Sequence, residues 1–447
     1  MDRVNTVRDP YFKKILLFAL PLMLSGLLQT LYSAADLVVV GRFEGELSLA
    51  AVGSTGSLTS LILGLFMGLA VGSGVCVAHG IGAKDHEDVQ KTLHTSILLA
   101  FILGVVVAIL GFFLAPQMLK LMDTPEDVLP LAILYVKIIF LGSPASLVYN
   151  YAAAMLRAAG DSKRPLIFLA VSGVVNVALN VVLVAIFRIG VAGVAIGTSV
   201  SQAVAAVMVL LHMRNTKGPF HLSFRKLTIH KEKLKKVLLI GIPSGVQGVL
   251  FAFSNVIVQS SINSFGSAVV AGSAVSANVE RLYYIAYHAF YDASLTFVGQ
   301  TVGAKKLHNI KRIVITSVIC VLMVAVVLTV FGVIFAEPLL KMYIADESMG
   351  VLEAAMERFI TLVLPYFLCG IMEIMVGTLR GMGRSMTSAV ISLIFACGLR
   401  IIWIATIFKI FTTPLCIYLT YPISWALTAL VGGILISVAV KKEMKNK

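Results

Sequence analysis

Charge is scarce in this chain. Asp, Glu, Lys and Arg make up 13% of its 447 residues, about half the share usual in soluble domains. Hydrophobic residues reach 59% and the mean hydropathy is +0.96, so too few polar side chains exist to cover a water-facing surface. A soluble enzyme, a disordered chain and a secreted domain are excluded. Acidic residues are scarcer than basic ones, 22 against 36, for a net charge of +14. No polar segment is long enough to fold into a water-exposed basic domain, which excludes nucleic acid as a partner. Cysteine is sparse: Cys76, Cys320, Cys369, Cys397 and Cys416 all fall in apolar stretches, the wrong setting for a disulfide framework. The sequence also lacks a Gly-rich phosphate loop ending in Lys-Ser/Thr, a Cys/His metal spacing and a nucleotide-binding domain. No metal or cofactor is therefore expected, and any work must draw on an ion gradient or a separate subunit.

Long apolar runs are what the sequence has. A crossing of the hydrocarbon core takes about 20 mostly apolar residues. By that measure twelve spans are expected, near 13–41, 52–80, 93–115, 129–156, 165–187, 190–213, 236–262, 270–301, 313–335, 353–379, 386–409 and 414–440. The first run is too long for the apolar region of a signal peptide, about 7–15 residues. Loop charges test the count. With the N-terminus inside, Arg42, Lys120, Arg188, Lys341, Arg358 and Lys409 fall in outer loops and Lys137, Arg281 and Arg400 within spans. Every other Lys and Arg falls on the cytoplasmic side, as the positive-inside rule requires, which places both termini in the cytoplasm of a plasma-membrane protein.

The two halves repeat. Pro21 matches Pro243, Gly82-Ala83-Lys84 matches Gly303-Ala304-Lys305, Pro116 matches Pro338 and Pro144 matches Pro365. Leu156-Arg157-Ala158-Ala159-Gly160 matches Leu379-Arg380-Gly381-Met382-Gly383, all at offsets of 221 to 223 residues. An even number of spans per half gives both copies one orientation. The expected fold is an all-α polytopic membrane protein with two six-helix lobes related by a pseudo-twofold axis along the membrane normal, a transporter plan. The lobes are 1–213 and 236–447, joined by a basic cytoplasmic linker, 214–235, suited to anionic headgroups. Pro21, Pro144, Pro243 and Pro365 should kink their spans.

Span 1 reads Ala19-Leu20-Pro21, Ser33-Ala34-Ala35-Asp36 and Val40-Gly41. Spans 2 and 8 end in the Gly-Ala-Lys turns, spans 4 and 10 in the Leu-Arg segments, the first followed by Asp161, and span 5 holds Asn176-Val177-Ala178-Leu179-Asn180. In this order and spacing, from about Lys13 to Val440, the chain resembles the multidrug and toxic compound extrusion family. The resemblance implies export of organic, often cationic, solutes in exchange for entering protons or sodium. It also implies action on small molecules with no catalytic residues, and the paired lobes of this lipid-embedded chain suit a functional monomer.

A charge in the bilayer interior persists mainly where it faces a cavity or a partner. Asp36 lies six residues, about 9 Å, from Arg42 along the helix, and its carboxylate can take a proton or coordinate sodium. The resemblance joins it to Asn176, Asn180 and Thr198 as a cation site. Asn180 stands where relatives often carry a second aspartate. Asn takes no proton, which favours one transferred proton over a sodium cage. In the second half Glu280, Glu373 and Arg400 are candidates for a second acidic or substrate-binding site, or for a structural network in which the two carboxylates face Arg281 and Arg400. Lys137, about 12 Å into span 4, can extend toward the interface, and His79 and His288 read as packing residues. Met372, Met375, Met382 and the run Tyr283–Tyr287 suit either a core or an adaptable cleft. The alternatives are a flippase or exporter of a lipid-linked or metabolite substrate on the same plan, the flippase wanting a cationic cleft, and a membrane-embedded transferase, which would want a base and nucleophile near an interface.

Overall fold

The computed structural model describes residues 10–344 and 349–445, and among these there is helix but no strand. Nine helices are long and apolar enough to cross a membrane: Pro10–Phe43 (α1), Glu46–Ala83 (α2), His86–Leu121 (α3), Lys163–Ile186, Val191–Asn215 (α7), Lys231–Asn263 (α8), Asn309–Ile334 (α10), Ser385–Ile410 and Pro414–Lys445. Two bent pairs bring the number to eleven. Leu129–Leu141 (α4) meets Ser143–Ala158 (α5) at 49°, and Gly350–Val363 meets Phe367–Gly381 (α13) at 50°. The remaining expected span, 270–301, lies in the 37-residue helix Ser267–Gly303 (α9). It is long enough to cross but less apolar, because it carries Glu280, Arg281, His288, Asp292 and four tyrosines.

The matched prolines act in two ways. Pro144 sits in the first turn of α5 and Pro365 between its two helices, so each marks a bend. Pro21 and Pro243 lie inside α1 and α8, which remain single helices.

The chain forms two compact units, residues 24–245 and residues 1–23 with 246–447. In the first, α5 packs on α2, α3 and α7. Two Gly-x-x-x-Gly pairs bring backbones together: a Cβ on Gly68 or Gly72 of α2 would strike the backbone of α8 near Ser244–Gly245 or Val237, and one on Gly241 or Gly245 would strike Leu69 or Leu65. Small residues at this spacing are the usual means of close helix packing in lipid, where no hydrophobic effect draws helices together. The basic segment before α8 is stitched to α3. The backbone N–H of Ser223 donates to Nε2 of buried His94 (3.1 Å), whose Nδ1 meets the Gln90 carbonyl at 2.8 Å, and the N–H of His230 donates to Thr95 Oγ1 (3.1 Å). Lys233 forms an ion pair with Asp88.

In the second unit α9 and α13 form the centre, flanked by Met349–Val363 (α12) and Thr420–Lys445 (α18). Phe18 of α1 packs edge-on against Phe297 of α9, 5.4 Å between centroids, which ties the start of α1 to this unit. The five cysteines are buried and unbridged.

Candidate functional site

Tyr32 and Asp36 are one helical turn apart and share a face of α1. Tyr32 reaches across to Lys163–Asn180 (α6), where its hydroxyl donates to the carbonyls of Leu169 (3.3 Å) and Ala170 (3.5 Å). This approach requires Gly173, since a Cβ there would overlap the Tyr32 ring. With α1 so seated, the Asp36 carboxylate meets two helices. Asn180 Nδ2 donates to Asp36 Oδ1 at 2.5 Å, and Thr198 Oγ1 of α7 donates to Oδ2 at 3.3 Å. Asn176 closes the ring: its Nδ2 donates to Thr198 Oγ1 (3.3 Å) and its Oδ1 accepts from Asn180 Nδ2 (3.4 Å). Both asparagines are buried, Asn180 completely. The amide of Asn180 fits because residue 197 is glycine; a Cβ there would strike Asn180 Oδ1. That oxygen is buried and accepts no hydrogen bond. The helix turns π-helical directly after Asn180, over Val181–Ile186, a local widening found often beside functional groups.

No basic side chain pairs with Asp36 among the described residues. The ring is therefore a carboxylate supported by three neutral side chains. Tyr135, on α4, lies within electrostatic reach of Asp36 and packs against the Val39–Val40 cluster. Nothing in its local sequence marked it, because it belongs to a run of apolar residues.

The second half departs from the expected network. Glu280 faces neither Arg281 nor Arg400. Its two oxygens accept from Arg358, Nε to Oε1 at 2.9 Å and Nη2 to Oε2 at 3.1 Å, and Ser276 adds a hydrogen bond of 2.6 Å. Arg358, expected in an outer loop, lies within α12 and is 6% exposed. A charge at that end of the span is retained inside because α9 supplies a carboxylate opposite it. Glu373 instead meets His288, Oε2 to Nδ1 at 3.2 Å, with His288 stacked between Tyr284 and Tyr291. His288 is thus more than packing. Arg380 at the end of α13 donates to Tyr291 Oη (2.6 Å) and Gln247 Oε1 (2.7 Å). Arg400 stands apart from both carboxylates, donating to Ser424 Oγ (3.1 Å) and Asn255 Oδ1 (3.4 Å). Lys137 lies over the Phe112 ring at 4.7 Å. Met372, Met375 and Met382 are buried, as are Tyr283 and Tyr287.

The MatE family model matches residues 21–182 and 243–406, so each matched stretch opens on one of the paired prolines, Pro21 or Pro243. The chain belongs to the MatE family. This MatE protein is 28% identical over 397 residues to the Bacillus subtilis protein named "Probable multidrug resistance protein YoeA", covering 87% of this chain and 85% of the other. It is 24% identical over 269 residues, 60% of each chain, to the Staphylococcus aureus "Multidrug export protein MepA". Two solved structures share the fold. A MOP superfamily transporter from Pyrococcus furiosus superposes with a TM-score of 0.90 at 22% identity, over 99% of each chain. An outward-facing multidrug resistance MATE family transporter superposes at 0.89 and 22%, over 100% of this chain and 99% of the other. The MatE chain is an all-helical multi-pass membrane protein of a multidrug efflux transporter family.

Proposed function

We propose that this protein is a proton-coupled antiporter of the plasma membrane, with both termini cytoplasmic, that exports lipophilic organic compounds, cations among them, by alternating access. Asp36 is the coupling group, and Asn176, Asn180 and Thr198 position it. The observation that carries this reading is the unpaired carboxylate. At membrane depth a bare charge is costly, and among the described residues this one is offered hydrogen bonds by neutral groups but no cationic partner. It must be neutralised by something that arrives from solution. A proton or cation can drive transport only if it binds two conformations of the protein with different affinity, and a single carboxylate on α1, held by α6 and α7, allows that difference.

Glu280 is assigned to structure, because Arg358 already neutralises it. Glu373, in contact with His288, is the second titratable group available to the cycle. Sodium is a second reading, favoured by one observation: the buried Oδ1 of Asn180 has no donor and would serve as a neutral oxygen ligand beside the carboxylate, the donor type hard cations take. The test is dye transport into vesicles containing the purified protein, driven by a pH gradient, with and without sodium. Wild type should move an organic cation such as ethidium without sodium, and Asp36→Asn should not. Equal transport by the two proteins would remove Asp36 from the coupling role.

A further inference from the structure

Arg400 is 2% exposed and lies just past the π-helical stretch Ser392–Gly398 of span 11. Its partners are neutral: Ser424 Oγ, Asn255 Oδ1 and the ring of Tyr421, 4.3 Å from guanidinium carbon to centroid. No carboxylate pairs with it among the described residues. Glu280 is committed elsewhere, since both its oxygens are held by Arg358. Arg358 in turn lies over the same Tyr421 ring at 5.7 Å. The cluster therefore has two guanidiniums and one carboxylate, and Arg400 is the cation left over. A buried charge without a partner is costly, and a neutral side chain of similar volume would fill the place without that cost.

The repeat says where this group sits. Asn255, Arg400 and Ser424 lie on spans 7, 11 and 12. Their counterparts one repeat earlier are spans 1, 5 and 6, which carry Asp36, the asparagine pair and Thr198. The same triad of helices holds an uncompensated carboxylate in one half and an uncompensated guanidinium in the other. A guanidinium has five N–H donors, and two are used here. Its planar fork matches carboxylate, phosphate and sulfonate groups. Asn255 is exposed on α8, so the group can be approached along that side chain.

We propose that Arg400, with Asn255 and Ser424, is an anion site that binds the acidic headgroup of an amphiphile. The headgroup belongs either to an exported compound, an assignment that rests on the export reading above, or to a membrane lipid. Binding itself is measured without transport, so failure of the coupling reading leaves this test intact.

Both tryptophans of the chain, Trp403 and Trp425, lie within three residues of Arg400 and Ser424, so energy transfer from tryptophan to a dansyl group reports on this site. The full-length protein in maltoside detergent would be titrated with dansyl-phenylalanine and with its neutral methyl amide. The expected result is that the carboxylate binds at least about tenfold tighter. In Arg400→Gln the two probes should bind alike, with the amide unchanged, and Arg400→Lys should keep a reduced preference. Lys137→Gln, which removes a positive charge elsewhere in the chain, should behave as wild type. Should the Arg400 variants misfold, Asn255→Leu, on the exposed side, should still lower the preference. Displacement of the carboxylate probe by dihexanoylphosphatidylglycerol would give the lipid as the source of the headgroup, and no displacement the exported compound. Equal binding of the two probes by wild type, binding of neither, or a preference that survives Arg400→Gln or Asn255→Leu overturns the proposal.

Discussion

Asn180 donates to Asp36 at 2.5 Å while its own side-chain oxygen, buried, accepts no hydrogen bond among the described residues. The amide thus spends its donor on the carboxylate and keeps an empty acceptor beside it. A protonated Asp36 would become a donor itself and could turn toward that oxygen, whereas a bound cation would be ligated by both groups at once. On the coupling proposed above, one side chain separates the two chemistries.

Asn180→Asp should move the balance toward sodium. The substitution places a second carboxylate within reach of Asp36, a pair that a cation neutralises better than a single proton does. In vesicles, a sodium gradient alone should drive dye movement at least about tenfold better in the variant than in wild type. Unchanged sodium response would show that residue 180 does not set the ion.

Gly173→Ala should disturb the site without changing Asp36, Asn176, Asn180 or Thr198. The added methyl would overlap the Tyr32 ring, and overpacking of this kind costs about 1–3 kcal/mol. A lower melting temperature in detergent and reduced transport are expected together. Adding Tyr32→Ala, which opens the space, should recover the melting temperature; if it does not, the strain lies elsewhere.

Glu280→Gln should destabilise more than Glu373→Gln. Removing one member of a buried ion pair costs about 3–5 kcal/mol because the other charge is left unpaired, and Arg358 has no other carboxylate among the described residues. Combining Glu280→Gln with Arg358→Met should restore most of the loss. Thermal unfolding of the four proteins in detergent would check the order, and a double variant as unstable as the single one would rule out the pairing as the cause.

The spans were legible in the sequence because hydropathy over about 20 residues is a property of the stretch itself. The bends at Pro144 and Pro365 were legible for the same reason, as local consequences of proline. The asparagine pair could be placed on one face of span 5 from its spacing, and the resemblance named Asp36 and Thr198 as its neighbours; the structure brings the four side chains into contact. Partner choice in the second half was not legible. Arg358 stands near the outer edge of its expected span, after Glu353 and Glu357, and only the packing of α12 on α9 shows that it meets Glu280. The same limit hid Tyr135 and the contact between His288 and Glu373. Sequence spacing gives the face a residue occupies on its own helix; which face stands opposite depends on packing between helices far apart in the chain. Pro21 and Pro243 lie inside unbroken helices, since a long transmembrane helix can continue through proline when neighbouring groups take up the freed carbonyl.

The division into units has a consequence for how the protein is made. Residues 24–245 form one compact unit from an unbroken stretch of chain, whereas residues 1–23 belong with 246–447. During synthesis domains form in the order in which they emerge. The first unit can therefore assemble while the second is still being translated. The opening half of α1 must wait for the stretch that follows residue 245. Until α9 is present Phe18 has no Phe297 to pack against, so the first turns of α1 are among the last to find their place.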